Sequence, residues 1–392
     1  MINSEKREEI LLCSQKIPFY LTVGIKKAFI STKYPSDCSS PVLKEYAPSF
    51  SSDVHKIIGR FLRDLEISSR AHHPLIKPEF CDEFCRGSAG IFTDKKYPHP
   101  RSNSILGGSS SGAVYNLLLG QTDISICSDT GGSARFPVLC GDNSLVGFKP
   151  SYGLISKNGL IEYVGDLDTV SLMSSTKNFN LLQIFFDVLT EDNSIEIKKD
   201  FRITTINYDK KELKDSPLFR LYNNPLLEQY YNIKSMLYCW SNTHRYDGKR
   251  FSSYQNTYPS SFKPNPSFLE NGEIKRVRQL SFNKLNACSL RLEQISRKVQ
   301  KIINQIITLF SKDNIFLLRR FKGISTYISD TDGMTDDKGL KLFIENLTGL
   351  PAIMVPAGRN EYFQITGPPN SDKLLLNKES LNKIISKFTA KS

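Results

Sequence analysis

The sequence predicts an α/β fold in which strands and amphipathic helices alternate. Residues 52–65 carry apolar side chains at helical spacing behind a Ser/Asp cap, and residues 292–310 repeat that spacing in a second, longer helix. Between them, residues 123–127 alternate polar and apolar side chains, with Ile124 and Ile126 on one face, which is typical of a short strand. A strand between two one-sided helices favours helices packed on a sheet.

The remaining elements continue this alternation. Residues 87–112 are rich in glycine, serine and proline and predict a loop, and residues 113–119 predict a short buried helix after it. Residues 351–356 predict a buried strand and residues 377–388 a closing helix. The expected organisation is a short N-terminal segment (1–20), a core with the catalytic motifs (21–175), a peripheral, weakly patterned subdomain (176–271) and the C-terminal part of the core (272–392).

The composition indicates a globular chain of one large or two smaller domains, with 392 residues, 39% hydrophobic and 23% charged. No apolar run approaches the roughly 18 residues that a membrane span requires. The first ten residues contain acids and no apolar stretch, which is unlike a secretory signal and also unlike an organellar transit peptide. The net charge of +12 suits a polyanion such as RNA or an acidic protein partner, and equally a solvated lysine-rich surface.

Cysteine and histidine spacing predicts reduced thiols and no metal site. The eight cysteines are irregularly spaced. Cys81 and Cys85 form a C-x3-C pair, but neither a second pair nor a nearby histidine completes a zinc site. The five histidines have no ligand spacing with acids or cysteines.

Two serine-containing segments carry the chemistry. The first reads Leu106-Gly-Gly-Ser-Ser-Ser-Gly, and the second reads Cys127-Ser-Asp-Thr-Gly-Gly-Ser-Ala-Arg-Phe-Pro. The glycine pair Gly131-Gly132 allows a turn that aims several N–H groups at one point. Such a cluster forms an oxyanion hole, whose loss typically costs about 100- to 1000-fold in rate. Ser133 follows directly, so we expect its hydroxyl to lie beside those donors.

A serine hydroxyl needs a base to become a nucleophile. Ser109, Ser110 and Ser111 offer a proton relay, and a neutral lysine can be the terminal base if burial lowers its pKa. Taken singly, each segment is more often a turn than a catalytic site.

Together the segments resemble the amidase signature family, which has a Gly-Gly-Ser-Ser-Gly-Gly element and a Ser-Asp-Thr-Gly-Gly-Ser-x-Arg element. The family's two serines are 24 residues apart, as are positions 109 and 133 here. Further matches are Asp82-Glu-Phe followed by Gly87-Ser, Gly147-Phe-Lys-Pro-Ser-Tyr-Gly, Leu167-Asp-Thr-Val and Asn346-Leu-Thr-Gly-Leu-Pro-Ala-Ile. The resemblance implies an amidase-signature fold, with a central mixed β-sheet flanked by helices on both sides.

The resemblance also implies a role for each motif residue. Ser133 would be the nucleophile. Ser109 would be the relay serine, which in the family follows a cis peptide bond. The oxyanion donors fall on the backbone of Thr130, Gly131 and Gly132 together with Ser133, and the supporting residues are Asp129, Arg135 and Ser110.

The catalytic lysine is less directly placed. Counting back from Pro35-Ser-Asp-Cys-Ser puts it at Lys26, with Lys27 as the alternative if one residue has slipped. The family's Asp and Asn after the lysine are replaced here by Lys27 and Ala28.

Within the family, the branch of greatest likeness is that of the A subunits of glutamyl-tRNA(Gln) amidotransferases, in their fungal mitochondrial form. This implies a glutaminase that passes ammonia to a partner B subunit, with a small accessory subunit, and Glu-tRNA(Gln) bound by the complex. ATP and Mg2+ would be used by a partner, and no cofactor by this chain. A mitochondrial matrix location is implied in the same way. Arg276 or Arg278 would bind glutamine, and a carboxylate is expected near Gly339, where Asp337 is the available acid.

Three alternatives remain open. The chain could be another amide hydrolase of the same family, or a catalytically decayed scaffold subunit. A different class is an α/β-hydrolase, because Gly108-Ser-Ser-Ser-Gly112 fits G-x-S-x-G with Ser110 as nucleophile, and His244 would then be its histidine.

Overall fold

A computed structural model of the chain describes residues 17–40, 43, 46–69, 73–87, 90, 99–102, 105–190, 204–207, 216–245, 277, 280–324 and 340–389. The strands in this part are β1 Thr22–Lys26, β2 Leu75–Glu79, β3 Ile124–Asp129, β4 Leu145–Lys149, β5 Thr169–Ser175, β6 Thr204–Asn207, β7 Ile315–Lys322, β8 Ala352–Gly358 and β9 Glu361–Thr366. They form one nine-stranded sheet in the order β2-β1-β3-β5-β4-β8-β9-β7-β6. The sheet is mixed, since β1 runs parallel to β2 and β3, and β6 parallel to β7, while the other neighbours are antiparallel.

Helices cover this sheet. They are α1 Asp53–Ser69, α2 Ser111–Leu118, α3 Phe179–Leu189, α4 Pro217–Tyr222, α5 Pro225–Arg245, α6 Phe282–Asp313, α7 Ile344–Thr348, α8 Asp372–Leu376 and α9 Lys378–Thr389, with short 3-10 turns at Glu83–Cys85, Phe136–Cys140 and Thr176–Asn178. In the described ranges, no helix has the length and apolar character to cross a membrane.

Alternation along the central strands sends neighbouring side chains to opposite faces of the sheet. Ile126 and Leu172 pack with residues of α1, α3, α8 and α9, whereas their neighbours Cys127 and Met173 pack with α2. Each face of the sheet therefore carries a hydrophobic cluster covered by helices, as the α/β prediction requires.

The predicted elements are present with small differences at their ends. The helix predicted at 52–65 is α1, the strand at 123–127 is β3, and the helix at 292–310 is the central part of the longer α6. The structure differs from the predicted peripheral subdomain at 176–271. Its first part, α3, belongs to the main core, with Phe185 and Phe186 fully buried.

The sheet topology places two motif residues side by side. β1 ends at Lys26 and β3 ends at Asp129. Because these strands are parallel neighbours, the segments that follow them leave the sheet at the same edge. The candidate active site lies at this edge.

Candidate active site

Lys26 is the centre of a buried group of hydroxyls. Its side chain is only 1% exposed, and its Nζ lies 2.8 Å from Ser109 Oγ, 3.2 Å from Ser110 Oγ and 2.9 Å from Ser128 Oγ. An ammonium group has three donors, and each finds one acceptor here. A neutral amine fits equally well, donating to two hydroxyls and accepting from the third.

Lys27 is placed outside this group. Its Nζ is 3.5 Å from Asp37 Oδ2, and its side chain is 25% exposed. The structure therefore distinguishes the two candidate lysines: Lys26 contacts Ser109, and Lys27 forms a partly exposed ion pair.

The backbone at Ser109 has the cis form that the resemblance implies. The peptide bond between Gly108 and Ser109 is cis, and Ser109 is fully buried. Ser110 is also buried and lies against Lys26 just before α2 begins. This burial argues against Ser110 as an exposed α/β-hydrolase nucleophile, and the side chain of His244 lies outside the described residues.

The turn that carries Ser133 is shaped by Asp129. Its carboxylate accepts hydrogen bonds from the backbone N–H groups of Gly132, at 2.9 Å, and Ala134, at 3.1 Å. Gly132 has a φ of 119°, a conformation that other residues rarely adopt. Its N–H, which the resemblance assigns to the oxyanion hole, is thus already committed to Asp129.

Three other N–H groups of this turn remain available. Among the described residues, the backbone N–H groups of Thr130, Gly131 and Ser133 have no acceptor. The Ser133 side chain is half-buried, and its hydroxyl likewise makes no hydrogen bond within that part of the chain. An accessible hydroxyl beside unpaired N–H donors is what attack on a carbonyl requires.

A buried charge network holds this turn against the C-terminal part of the chain. Arg135 is fully buried and binds Asp129 through Nε at 3.1 Å and Nη2 at 3.0 Å, and Glu345 through Nη1 at 3.0 Å. Arg319 binds the same Glu345 carboxylate at 2.8 Å, and Asn346 donates to Asp129 Oδ1 at 3.0 Å. Burial alone would raise the pKa of Asp129, but the Arg135 charge and hydrogen bonds lower it to about 2. Asp129 is therefore ionised and holds the turn.

Asp168 fixes the other end of the turn. It accepts from Thr130 Oγ1 at 2.5 Å and from the backbone N–H groups of Tyr163 and Val164 at 2.9 and 3.1 Å. Burial raises the pKa of Asp168 from 3.8 to about 6, despite these hydrogen bonds.

Tyr231 is a site residue that the sequence did not predict. It lies on α5, stacked on Phe343 with ring centroids 4.8 Å apart, and its hydroxyl contacts the α-carbon side of Gly131, where a Cβ would collide with it. Tyr231 therefore forms one wall over the oxyanion turn. No spacing pattern pointed to it, because α5 lies in the weakly patterned stretch and is brought to the site by tertiary packing, including its contacts with α6.

The charge of Lys26 is tied to three nearby thiols, which we call the thiol cluster: Cys38, Cys81 and Cys85. Burial by itself lowers the pKa of the Lys26 ammonium group, but negative charge on nearby thiols, above all Cys85 and also Cys127 outside the cluster, raises it above its ordinary value. Hydrogen bonds raise the pKa of Cys38 and burial raises that of Cys81 well above the usual range, so Cys85 is the thiol that favours the charged form. The pKa of Cys85 is lowered well below its usual range by hydrogen bonds from Cys38 and Cys81 and by the Lys26 charge. The expectation that burial alone sets the charge of Lys26 is thus incomplete, because the thiols act in the opposite direction.

The structure gives no position for the predicted substrate-binding residues. Arg276, Arg278, Asp337 and Gly339 all lie outside the described residues. How this chain binds a substrate carboxylate or amine therefore remains a prediction.

Known proteins resemble this chain in sequence and fold. Residues 83–215 match the family described as Amidase. The A subunit of the mitochondrial glutamyl-tRNA(Gln) amidotransferase of Eremothecium gossypii is 33% identical over 203 residues, which cover 50% of this chain and 41% of that protein. The corresponding A subunit of Sulfurisphaera tokodaii is 27% identical over 413 residues, covering 91% of this chain and 82% of that protein. This chain thus spans less than half of the fungal relative's length in that alignment.

Solved structures share the fold across nearly the whole chain. An allophanate hydrolase of Kluyveromyces lactis, solved as a serine-to-alanine variant, superposes with a TM-score of 0.67 at 18% identity, covering 97% of this chain and 65% of that one. The A subunit of the Thermotoga maritima glutamyl-tRNA(Gln) amidotransferase gives 0.57 at 19% identity, covering 90% and 80%. At these identities the likeness establishes the fold, and the predicted α/β architecture is confirmed.

Proposed function

We propose that this chain, of which residues 83–215 match the Amidase family, is the glutaminase subunit of a glutamyl-tRNA(Gln) amidotransferase. One observation carries the proposal: the 2.8 Å contact between Lys26 Nζ and Ser109 Oγ, next to a Ser133 turn with unpaired N–H groups. A scaffold without activity has no need of a fully buried lysine positioned on the relay serine. The likeness to amidotransferase A subunits supplies glutamine as the substrate.

In the first step, Ser133 Oγ attacks the side-chain amide carbon of glutamine. The Ser133 proton passes to Ser109, whose own proton passes to neutral Lys26, so that a carbon–oxygen bond forms and Lys26 gains one proton. The contact between Lys26 and Ser109 supports the second of these transfers. The first requires the Ser133 hydroxyl to turn towards Ser109, since no hydrogen bond joins the two in the structure. Protonation of the thiols would favour the neutral amine, because only the effect of burial on Lys26 would then remain.

The negative charge that develops on the carbonyl oxygen needs donors. The N–H groups of Thr130, Gly131 and Ser133 are available, and Asp129 and Asp168 hold the two ends of the turn that presents them. Donors that are already in position avoid reorganisation during the reaction, and each contributes about 100- to 1000-fold to the rate in well-studied sites.

In the second step, protonated Lys26 returns its proton through Ser109 to the leaving nitrogen, and ammonia departs. Water then hydrolyses the Ser133 ester, giving glutamate and restoring the hydroxyl. In the proposed complex, the ammonia amidates Glu-tRNA(Gln) on a partner B subunit that uses ATP and Mg2+, with a small accessory subunit also present. We propose the mitochondrial matrix as the location, from the likeness to the fungal relative.

The experiment measures ammonia release from glutamine by this chain co-produced with the B and accessory subunits. Ser133→Ala should abolish release, and Lys26→Ala should reduce it about 100- to 10,000-fold, the usual contribution of a general base. Lys27→Ala is the matched control, since it removes a neighbouring lysine that pairs with Asp37 instead, and it should retain activity.

The outcomes separate the alternatives. An assembled wild-type complex that releases no ammonia from glutamine contradicts the glutaminase assignment. Hydrolysis of other amides by that complex, lost in Ser133→Ala, would identify a different amidase of the same family. Inactivity on every amide would identify a scaffold subunit.

A further inference from the structure

The thiol cluster is a second group of reactive side chains beside the active site. Its three cysteines are 0 to 3% exposed, and their sulfur atoms all lie within 4.8 Å of one another. The sulfurs of Cys38 and Cys85, 47 residues apart in sequence, are separated by 3.7 Å. In the mechanism proposed above, the protonation state of these thiols affects the charge of Lys26, but no thiol forms or breaks a bond.

The backbone at the cluster adopts an uncommon conformation. Cys38, Ser39, Phe84 and Cys85 all have positive φ angles, between 46° and 58°, which residues other than glycine seldom adopt. Two of the three cysteines are among them. Left-handed conformations of this kind persist where the surrounding structure fixes them, and they concentrate at functional sites.

Hydrogen bonds join the two segments that supply the thiols. The Phe84 N–H donates to the carbonyl of Cys38 at 3.2 Å, and the Cys81 N–H donates to Ser39 Oγ at 2.9 Å. The cluster is therefore assembled from two chain segments that are fixed to each other independently of the thiols. Three sulfurs are held together before any ligand binds.

The spacing fits thiolate coordination of a metal ion. Zinc binds cysteine sulfur at about 2.3 Å with tetrahedral angles, which separates two sulfurs by about 3.8 Å. The distance between the sulfurs of Cys38 and Cys85 matches that edge. Soft thiolate ligands select zinc and similar thiophilic ions over magnesium or calcium.

We propose that Cys38, Cys81 and Cys85 bind one zinc ion, each thiol losing its proton to form a sulfur–metal bond. The proposal does not depend on the glutaminase assignment, since it rests on the positions of the three sulfurs and these form no bond to substrate in that reaction. Zinc bonds would then connect the segment after β1 to the 3-10 turn at Glu83–Cys85.

Ser128 links the proposed metal site to the active site. Its hydroxyl is 3.7 Å from Cys85 Sγ and 2.9 Å from Lys26 Nζ. Its distance from Cys85 Sγ makes it a candidate for the fourth ligand. A metal at the cluster would fix the wall against which Lys26 is held, which is a positioning role and not a catalytic one.

The direct test uses the full chain purified under reducing conditions. Elemental analysis should find about one zinc per chain after reconstitution with Zn2+. Replacement by Co2+ should give the intense near-ultraviolet charge-transfer absorption of cobalt thiolates. Both signals should be lost in Cys38→Ser and Cys85→Ser. Cys239→Ser is the matched control, since Cys239 is an equally buried cysteine on α5 outside the cluster, and it should retain both.

The wild-type chain provides a second readout in case the serine variants do not fold. Chelation should lower its Tm under reducing conditions, and added Zn2+ should restore it. Absence of bound zinc with no cobalt–thiolate absorption in the wild type overturns the proposal. So does a thiol count showing a disulfide between Cys38 and Cys85 in the reduced preparation.

Discussion

Glu79 is expected to make the stability of this chain depend on pH. It ends β2 and is 1% exposed, and its Oε1 accepts from Ser125 at 2.8 Å, Asn116 at 3.2 Å and Thr122 at 3.4 Å. Its other oxygen, Oε2, has no hydrogen-bond partner among the described residues. Burial raises the pKa of Glu79 from 4.5 to about 7, and the three hydrogen bonds only partly oppose this.

The sign follows from which state binds the proton. Below pH 4.5, Glu79 is protonated in both the folded and the unfolded chain, and it has no effect on the pH dependence. As the pH rises from 4.5 to 7, the unfolded chain ionises while the folded chain keeps its proton, so the free energy of unfolding falls. The loss reaches about 3 kcal/mol above pH 7, at about 1.4 kcal/mol for each unit of pKa difference.

Glu79→Gln removes this titration while keeping the size of the side chain. Urea unfolding at pH 4.5 and at pH 8 should show the variant gaining about 3 kcal/mol relative to wild type between the two conditions. Taking the difference in unfolding free energy between variant and wild type at each pH removes the contributions of the titrating groups that the two proteins share. It also cancels any constant cost of the amide in the buried site.

Glu66→Gln is the matched control, because it removes the same charge from an exposed position on α1. Its difference from wild type should change little between pH 4.5 and 8. A Glu79→Gln difference that is equally constant would refute the reasoning, since it would mean that the folded chain does not disfavour the ionised carboxylate.

Three further substitutions test the turn that carries Ser133, each by urea unfolding at pH 8. Arg135→Met should lower the free energy of unfolding by about 3–5 kcal/mol, because the buried Asp129 loses its arginine and Glu345 keeps only Arg319; a loss below about 1 kcal/mol would contradict the network. Gly131→Ala should destabilise the chain through the collision with Tyr231, and adding Tyr231→Ala should recover about 0.5–3 kcal/mol; strict additivity would argue against that contact. Asp168→Asn should cost about 1–3 kcal/mol, since an amide cannot accept all the donors that converge there, Thr130 included. Unchanged stability would mean that these hydrogen bonds contribute nothing.

The strongly periodic elements of the fold were predictable from the sequence. The helices at 52–65 and 292–310 were found because one-sided burial imposes helical spacing on their apolar residues. The sequence could not show that α3 joins the main core, because the stretches on both sides of it have weak patterns. Local periodicity indicates which face of a helix is buried, but not which element of the fold that face packs against.

The catalytic motifs were predictable for a different reason. A glycine turn beside a serine depends on residue type and short spacing, both of which the sequence displays directly. The lysine was ambiguous by one position because Lys26 and Lys27 are chemically alike, and only the geometry separates them. The position of Tyr231 at the site and the proximity of Cys38 to Cys85 depend on chain segments that come together only on folding. No short-range sequence pattern indicates such long-range contacts.

The salt-bridge network around Arg135 has a consequence for how the protein is made. Arg135 and its partner Glu345 are separated by 210 positions in the chain. During synthesis from the N-terminus, Arg135 leaves the ribosome long before Glu345 and Asn346 exist. The turn that carries Ser133 has its full set of contacts only after Glu345 and Asn346 have left the ribosome. An unfinished chain therefore contains Ser133 but lacks the buried charge network that holds its turn in place.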